Sequence, residues 1–307
     1  MKLGLAYSRI RRDEKALLAE LRDRGHDVRK IDVREEQFDL AEPPESFEGL
    51  DLLLDRCLST SRSVYLTRFC ASYGLPVVNG TRTAFACADK VETSLALADA
   101  DVPTPATTVA FTEEAALAAI EAFGYPCVLK PVVGSWGRLL AKIESRSAAE
   151  AILEHKSTLG HYEHSIFYIQ EFVDKPGRDV RVLAADGEPI AAMVRSGDHW
   201  VTNAARGADT EPFEVDQTVA SVVTAASDAV GGGLLGVDLM ETGDGSGSES
   251  EGNDAFEDCG YTVHEINHTV EFGALADTVD VDVPAAIVDW LETVAADASA
   301  DDAEVTV

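Results

Sequence analysis

Glu265 and Asn267 stand two residues apart in the largely apolar stretch VHEINHTVEF, residues 263–272. Strand side chains alternate faces, so these two project from one side of a sheet. A carboxylate and an amide oxygen side by side are hard donors of the kind Mg²⁺ accepts. The same alternation also describes a half-exposed strand with a polar outer face, and the stretch alone leaves both readings open. GVDLM, residues 236–240, sets Asp238 in a second apolar run. If the two runs pair as antiparallel strands, Asp238, Glu265 and Asn267 converge as three oxygen ligands. Mg²⁺ seldom takes a full protein cage and prefers a few such ligands plus phosphate oxygens and water, so a nucleotide is the expected companion.

Phosphates need cations. Lys130 closes the apolar strand YPCVLKP, where a lysine requires a partner. GSWGR follows at 134–138, and Gly134 and Gly137 let a backbone approach an anion, although two glycines serve a plain β-hairpin as well. The turn is not a P-loop, and no GxGxxG follows the first strand. Arg195 in AAMVRSGDHW and Asn203 in WVTNAARG suit phosphate oxygens or a developing oxyanion. Either alone reads equally as a polar residue flanking a strand.

The elements that must position these groups begin with the apolar run KLGLAY, a helix carrying Leu17, Leu18 and Leu21, and a strand from His26 to Val33. LDLLLDR and LPVVNG add two further strands, so a parallel α/β unit is expected, ending near residue 85. A helix carrying Lys90 is expected from about Cys87 to Ala100, stopped by the prolines of DVPTPAT. FTEEAALAAIEAFG reads as a helix capped by Thr112 and closed at Gly124. YPCVLKP is a strand, VVGSWGRLL a glycine-broken hairpin, and SRSAAEAILEHKSTLG a helix. SIFYIQEFV, RDVRVLAADGEPIAAMVR and the run around LLGVDLM read as strands of one antiparallel sheet, with Asp186-Gly187 as a hairpin turn. The acidic Gly/Ser-rich stretch 242–260 lacks apolar period and reads as an exposed excursion joining the Asp238 and Glu265 strands.

Composition narrows the class. The 307 residues suit two or three compact units, and 46% apolar content supplies a core. No run is long enough to span a membrane, and MKLGLAYSRIRRDE does not read as a signal peptide, so a soluble cytoplasmic protein is expected. The five scattered cysteines fit neither a disulfide framework nor a zinc site. Against 55 acidic residues stand only 25 basic ones, which leaves no basic footprint for nucleic acid. A net charge of −30 on a chain with intact apolar period points to a halophilic, salt-rich cytoplasm, since at about 1 M salt the Debye length falls to roughly 3 Å.

Read in order, DK at 89–90, VPTP at 102–105, VLKPVVGSWGR at 128–138, QEFV at 170–173, GRDVRV at 177–182, VRSGDHWVTNAARG at 194–207, GVDLM and HEINHTVEF form a set that resembles the ATP-grasp ligases. Within them the chain resembles the RimK/LysX family, and most closely its LysX/ArgX branch, over residues 1 to about 295. The resemblance implies an α/β (α+β) ATP-grasp architecture: an N-terminal parallel pre-ATP-grasp domain at 1–86, a central lid subdomain at 87–168 and a C-terminal antiparallel-sheet subdomain at 169–295. An acidic insertion falls at 242–260 and an acidic tail at 296–307.

It also implies roles. Lys90 and Lys130 go to the phosphates of ATP. Gly134, Ser135, Trp136 and Gly137 become a flexible cover, with Arg138 beside it. Gln170, Glu171 and Val173 form the adenine hinge, largely through backbone groups, and Asp179 lies by the nucleotide. Arg181 touches substrate or phosphate, and Arg195 and Asn203 face the γ-phosphate and acyl phosphate. Asp238, Glu265 and Asn267 hold Mg²⁺, as two ions. His268, Thr269, Glu271 and Phe272 shape the end of the amino-acid site.

The family's chemistry is ATP-dependent ligation of glutamate, or of 2-aminoadipate, to the terminal glutamate side chain of a small acidic LysW-type carrier protein, in arginine or lysine biosynthesis. Its members associate as dimers or tetramers. After EF, aminoadipate-selective relatives resemble K-N-[ST]-V, whereas this chain has GALADTV, which favours glutamate. Basic residues such as Arg9, Arg56, Arg62, Arg68 and Arg82 are candidates for the carrier tail. Ligation to another protein or a small cofactor, and a non-catalytic nucleotide-binding role, are the competing readings; the intact Asp238, Glu265 and Asn267 count against the last.

Overall fold

The computed structural model describes residues 1–134, 139–158, 165–197, 199–200, 202, 208–242, 256 and 259–304. The chain opens with β1 (Lys2–Tyr7), α1 (Arg12–Asp23), β2 (Asp27–Asp32), β3 (Leu52–Arg56), α2 (Thr60–Tyr73) and β4 (Val77–Val78). The strands form a parallel sheet ordered β2-β1-β3-β4, as expected from strands that alternate with helices. Every side chain of β3 is buried, as a central parallel strand covered on both faces requires.

The helix expected from about Cys87 to Ala100 is α4 (Lys90–Asp99), and a separate helix that the sequence did not signal, α3 (Thr81–Ala88), precedes it. Asp89 separates them, because its backbone is extended and its carboxylate caps the Val91 N–H at 2.7 Å. That break starts α4 at Lys90 and aims the lysine across the molecule. Leu97 of α4 packs into the core of the C-terminal sheet.

Next come β5 (Thr107–Ala110), α5 (Glu113–Phe123), β6 (Cys127–Lys130), β7 (Ala141–Ile143), α6 (Arg146–Thr158) and β8 (Phe167–Glu171). Their sheet is antiparallel, ordered β5-β8-β6-β7, and α5 and α6 cover it through Ala116, Ile120, Ala149 and Leu153. SIFYIQEFV therefore belongs here, not to the later sheet as its sequence suggested. Alternation fixes which face of a strand is buried and carries no information about which sheet accepts its edge.

The last unit holds β9 (Arg178–Ala185), β10 (Glu188–Ser196), β11 (Asp209–Pro212), α7 (Gln217–Val230), β12 (Leu234–Glu241), β13 (Tyr261–Asn267), α8 (Gly273–Thr278) and α9 (Val283–Glu304). The five strands run antiparallel in the order β11-β10-β9-β12-β13. Asp186 and Gly187 turn β9 into β10 with φ of 46° and 82°, the positive pair a two-residue hairpin requires. One face, with Val180, Val182, Val237, Leu239, Val263 and Ile266, packs on Val219, Val222 and Val223 of α7. On the other side α9 joins the N-terminal unit, through Val283, Ile287 and Leu291 beside Leu17 and Leu21. Among the described residues, no helix is long and apolar enough to cross a membrane.

Candidate active site

The face of the C-terminal sheet turned away from α7 carries the chemistry. Asp238 pairs across β12 and β13 with Glu265, and Asn267 lies opposite Gly236 in the same ladder. The register slips between Asp238 and Leu239, so β13 carries one extra residue there. Simple alternation would turn His264 toward the core with Ile266. The bulge instead keeps Val263 and Ile266 in the core and lets His264, Glu265 and Asn267 all line the cleft. The sequence reading placed Glu265 and Asn267 on that face and missed His264, because a bulge leaves no trace in periodicity.

On the neighbouring strand Arg181 stands opposite Asp238, and two positions further along, Arg195 of β10 faces Asp179 of β9. Arg181 forks onto Asp238 with contacts of 2.6 and 2.5 Å, and Arg195 reaches the same carboxylate at 3.1 Å and Asp179 at 2.6 Å. Lys175 adds contacts to Asp179 at 3.5 Å and to the Thr202 hydroxyl at 2.6 Å. Asp238, Asp179 and Arg195 are each no more than 3% exposed. Burial alone would raise the Asp238 pKa, but Arg181 and Arg195 hold the carboxyl well below its usual range.

Lys130 and Lys90 reach this face from adjoining elements, the Lys90 N–H donating to the Val132 carbonyl at 2.8 Å. Lys130 ends β6 and is 6% exposed; burial pushes its pKa down to about 8, with Glu265 opposing the shift and Lys90 and Lys175 adding to it. Lys90 donates to the Gly134 carbonyl at 2.8 Å and to Glu265 at 3.1 Å, which ties the start of the glycine turn to the carboxylate pair. Burial would raise the Glu265 pKa, but Lys90 keeps it below the ordinary value. Burial, and then Lys130, push His264 down to about 4, so its ring is neutral. Ser135, Trp136, Gly137, Arg138 and Asn203 lie outside the described residues.

The hinge strand is pinned from behind. Gln170 spends its amide on Thr107 Oγ1 at 2.9 Å and Tyr168 Oη at 3.0 Å, and Glu171 accepts the Ala106 N–H at 2.8 Å. Both line the cleft with Val173, and the Glu171 N–H donates to the Ala106 carbonyl at 3.0 Å. The cleft encloses about 540 Å³ and runs from this hinge to the N-terminal unit, where Arg11, Arg12 and Thr60 join it. His268, Thr269 and Glu271 line that far end, and Arg11 forms an ion pair with Glu271. Phe272 does not join them: it is 1% exposed in the core, with the Arg56 guanidinium 5.7 Å over its ring. Arg56 is equally buried and faces Glu14 at 3.1 Å, so it is structural and no candidate for a carrier tail.

The site fits a hard divalent cation. Two carboxylates occupy directly paired positions with the Asn267 amide on the same face, a hard-oxygen donor set, although Arg181 engages both Asp238 oxygens and they would have to be shared with an ion. Asp238, Glu265 and Asn267 would hold the ion.

A parallel α/β unit, a central antiparallel sheet with a lysine at its mouth, and a second sheet bearing paired carboxylates beside buried guanidinium groups together define a phosphate-handling site of the ATP-grasp class. The chain belongs to the RimK-like ATP-grasp family, whose domain model matches residues 87–291, and the LysX preATP-grasp domain matches residues 3–85. It is 33% identical over 223 residues to the α-aminoadipate–LysW ligase LysX of Saccharolobus solfataricus, covering 72% of this chain and 76% of that one. Against the glutamate–LysW ligase ArgX of Sulfolobus acidocaldarius, identity is 26% over 298 residues, or 95% and 98% of the two chains. The crystal structure of a RimK domain ATP-grasp protein from Sphaerobacter thermophilus superposes with a TM-score of 0.77 at 29% identity, covering 94% of this chain and 99% of that one.

Proposed function

We propose that this chain is an ADP-forming carboxylate–amine ligase that joins glutamate to the side-chain carboxyl of the C-terminal glutamate of a small LysW-type carrier protein. The observation that carries the reading is the paired Asp238 and Glu265, ringed by Arg181, Arg195, Lys90 and Lys130 at one end of a cleft that also reaches the N-terminal unit. Relatives matched over 89% and 95% of this chain are named as LysW ligases for α-aminoadipate and for glutamate, respectively. GALADTV after Phe272 favours glutamate; 2-aminoadipate is the second reading, favoured by the higher identity to the LysX relatives.

A carboxylate is a poor electrophile, so its oxygen first takes the γ-phosphoryl group of ATP and ADP leaves. Lys130 and Arg195 offset the charge on the phosphoryl oxygens. Bound Mg²⁺, as two ions, supplies the remaining charge neutralisation. The amine of the amino acid then attacks the acyl carbon, the C–N bond forms, and phosphate departs with the C–O bond. Excluding water protects the acyl phosphate, a task for the segment after Gly134. Nothing in this sequence requires a nucleophilic Ser, Cys or His.

Purified protein with ATP, Mg²⁺, glutamate and a LysW-type carrier tests the reading. ADP release that depends on the carrier supports it. Release with a small acceptor alone points to cofactor ligation, and no release with any acceptor points to a non-catalytic nucleotide-binding protein. The reading includes a homo-oligomer and a salt-rich cytoplasm. Residues 1–86 balance fourteen basic against fourteen acidic side chains, so residues 87–307 carry the whole net charge of −30. Sedimentation at low and at molar KCl checks both: a chain equally compact and stable at each would refute the salt adaptation.

A further inference from the structure

The turn after Asn267 crosses to the N-terminal unit, and there His268 meets two buried polar side chains that the mechanism above leaves without a role. Asp55, in β3, is 5% exposed, and Ser63, in the first turn of α2, is fully buried. Asp55 Oδ1 accepts the Cys57 N–H at 2.8 Å, and Oδ2 accepts the Ser63 hydroxyl at 2.5 Å. Ser63 Oγ lies 3.1 Å from His268 Nε2. Asn79 Nδ2 donates to the His268 carbonyl at 2.5 Å and fixes the backbone at the same point.

The polarity of this chain is determined by its first member. A carboxylate only accepts, so the one Ser63 proton goes to Asp55. The Ser63 oxygen must then receive a proton from His268, which places N–H at Nε2. With Nε2 carrying the proton, the neutral ring keeps its lone pair at Nδ1. The ring lines the far end of the cleft, and Nδ1 has no partner among the described residues.

We propose that Asp55 and Ser63 are positioning residues that set the tautomer of His268, so that Nδ1 offers a hydrogen-bond acceptor to the amino group of the incoming amino acid. The proposal rests on the ligase reading. Of the groups the two substrates bring, carboxylates and phosphates are acceptors and would meet an Nδ1 lone pair unfavourably. The amine is the donor. One N–H held at Nδ1 directs the nitrogen while its own lone pair stays free to attack the acyl carbon.

Asp55→Asn tests this at nearly constant shape. The amide oxygen keeps the Cys57 N–H, while its nitrogen donates to Ser63 Oγ. The serine proton then turns to Nε2 and drives the histidine proton to Nδ1, which converts the acceptor into a donor. In full-length protein with ¹⁵N-labelled histidine, the protonated nitrogen of His268 should be Nε2 in the wild type and Nδ1 in Asp55→Asn. The KM for the amino acid should rise at least tenfold while the ATP Kd stays within twofold. Ser63→Ala should release the tautomer and raise the same KM less, and it decides the matter if Asp55→Asn does not fold. A wild-type ring protonated at Nδ1 overturns the proposal, as does a flipped tautomer with an unchanged KM. The tautomer needs no substrate, so absence of ligase activity with every amine would count against the ligase reading and leave the relay itself intact.

Discussion

The cleft's two ends are built differently. At the phosphate end Asp179, Arg181, Arg195, Asp238, Glu265 and Asn267 all project from one face of one antiparallel sheet, where ladder register fixes their spacing. Asp179, Arg195 and Asp238 are buried there, and they pair charges with one another and with Arg181. At the far end His268, Thr269 and Glu271 sit on a turn, held by Ser63, Asn79 and Arg11 of a different unit. On the ligase reading proposed above, the first arrangement stabilises a charge distribution common to every use of ATP. The second is assembled across a unit boundary, where the identity of the substrate can change without disturbing the sheet. Damage to the first end should therefore stop ADP formation with every acceptor, and damage to the second should change which substrates are used.

The sharpest way to break this contrast is at the carboxylate pair. Glu265→Gln should lower the rate of ADP formation on the order of a thousandfold, the several kcal/mol expected of lost phosphoryl charge stabilisation. Stopped-flow ADP detection reads it, and near-normal turnover would falsify the metal assignment. Asp238 needs the isosteric Asp238→Asn. Alanine there would leave Arg181 and Arg195 buried without their shared counter-charge, at a cost of roughly 3–5 kcal/mol in stability. A dead Asp238→Ala protein could then be merely unfolded.

This end was the more legible in sequence, for a physical reason. Asp238, Glu265 and Asn267 interrupt apolar runs, and alternation specifies their shared face once the strands pair. What stayed hidden was set by geometry that periodicity does not encode. The bulge brought His264 into the cleft, the cap at Asp89 set where α4 begins, and β8 chose the central sheet. Lys175 sits in a connection with no pattern to mark it. Phe272 was misplaced because its neighbours line the cleft while it turns into the core. Nor could sequence pair Asp55 with Ser63 and His268, which lie more than two hundred positions apart.

Discrimination at the far end should be smaller. Glutamate and 2-aminoadipate differ by one methylene, worth about 1–3 kcal/mol, so the ratio of their kcat/KM values should fall within roughly 10–200-fold. Competition assays with both amino acids measure it. A ratio far above that range would mean that a polar contact, lost with one substrate, does the selecting.

Lys130 sharpens the contrast by pH. The folded protein lowers its pKa from 10.5 to about 8, so unliganded Lys130 is largely neutral by pH 9. The unfolded chain binds more protons in that window. This group's contribution to stability is complete above 10.5 and is lost as pH falls through 8. Phosphates beside it should restore the charge, so ATP binding at pH 9 should take up close to one proton. Calorimetry in buffers of different ionisation enthalpy counts that proton. In Lys130→Met the uptake should vanish and ATP affinity fall about 10–100-fold, as for a lost charge-assisted hydrogen bond. No such uptake should accompany changes at His268.

The smallest effect is expected at the acidic stretch between β12 and β13. The acidic stretch leaves the sheet after Thr242 and returns by Gly260, whose carbonyl accepts the Thr242 N–H at 2.9 Å. That bond closes the β12–β13 ladder beyond the Glu241–Tyr261 pair, three positions from Asp238 and, at about 3.4 Å per residue, roughly 10 Å from the carboxylates. Because the ladder is already closed at that point, the residues between are not needed to hold register. Replacing 243–257 by a short glycine turn should leave kcat and both substrate KM values within about twofold. Phe256, which the replacement removes, is half-buried against the core of the C-terminal sheet, so stability should fall while turnover is spared. A folded but inactive product would mean that this stretch takes part in carrier recognition, and would extend the second, substrate-defining region onto the far edge of the sheet.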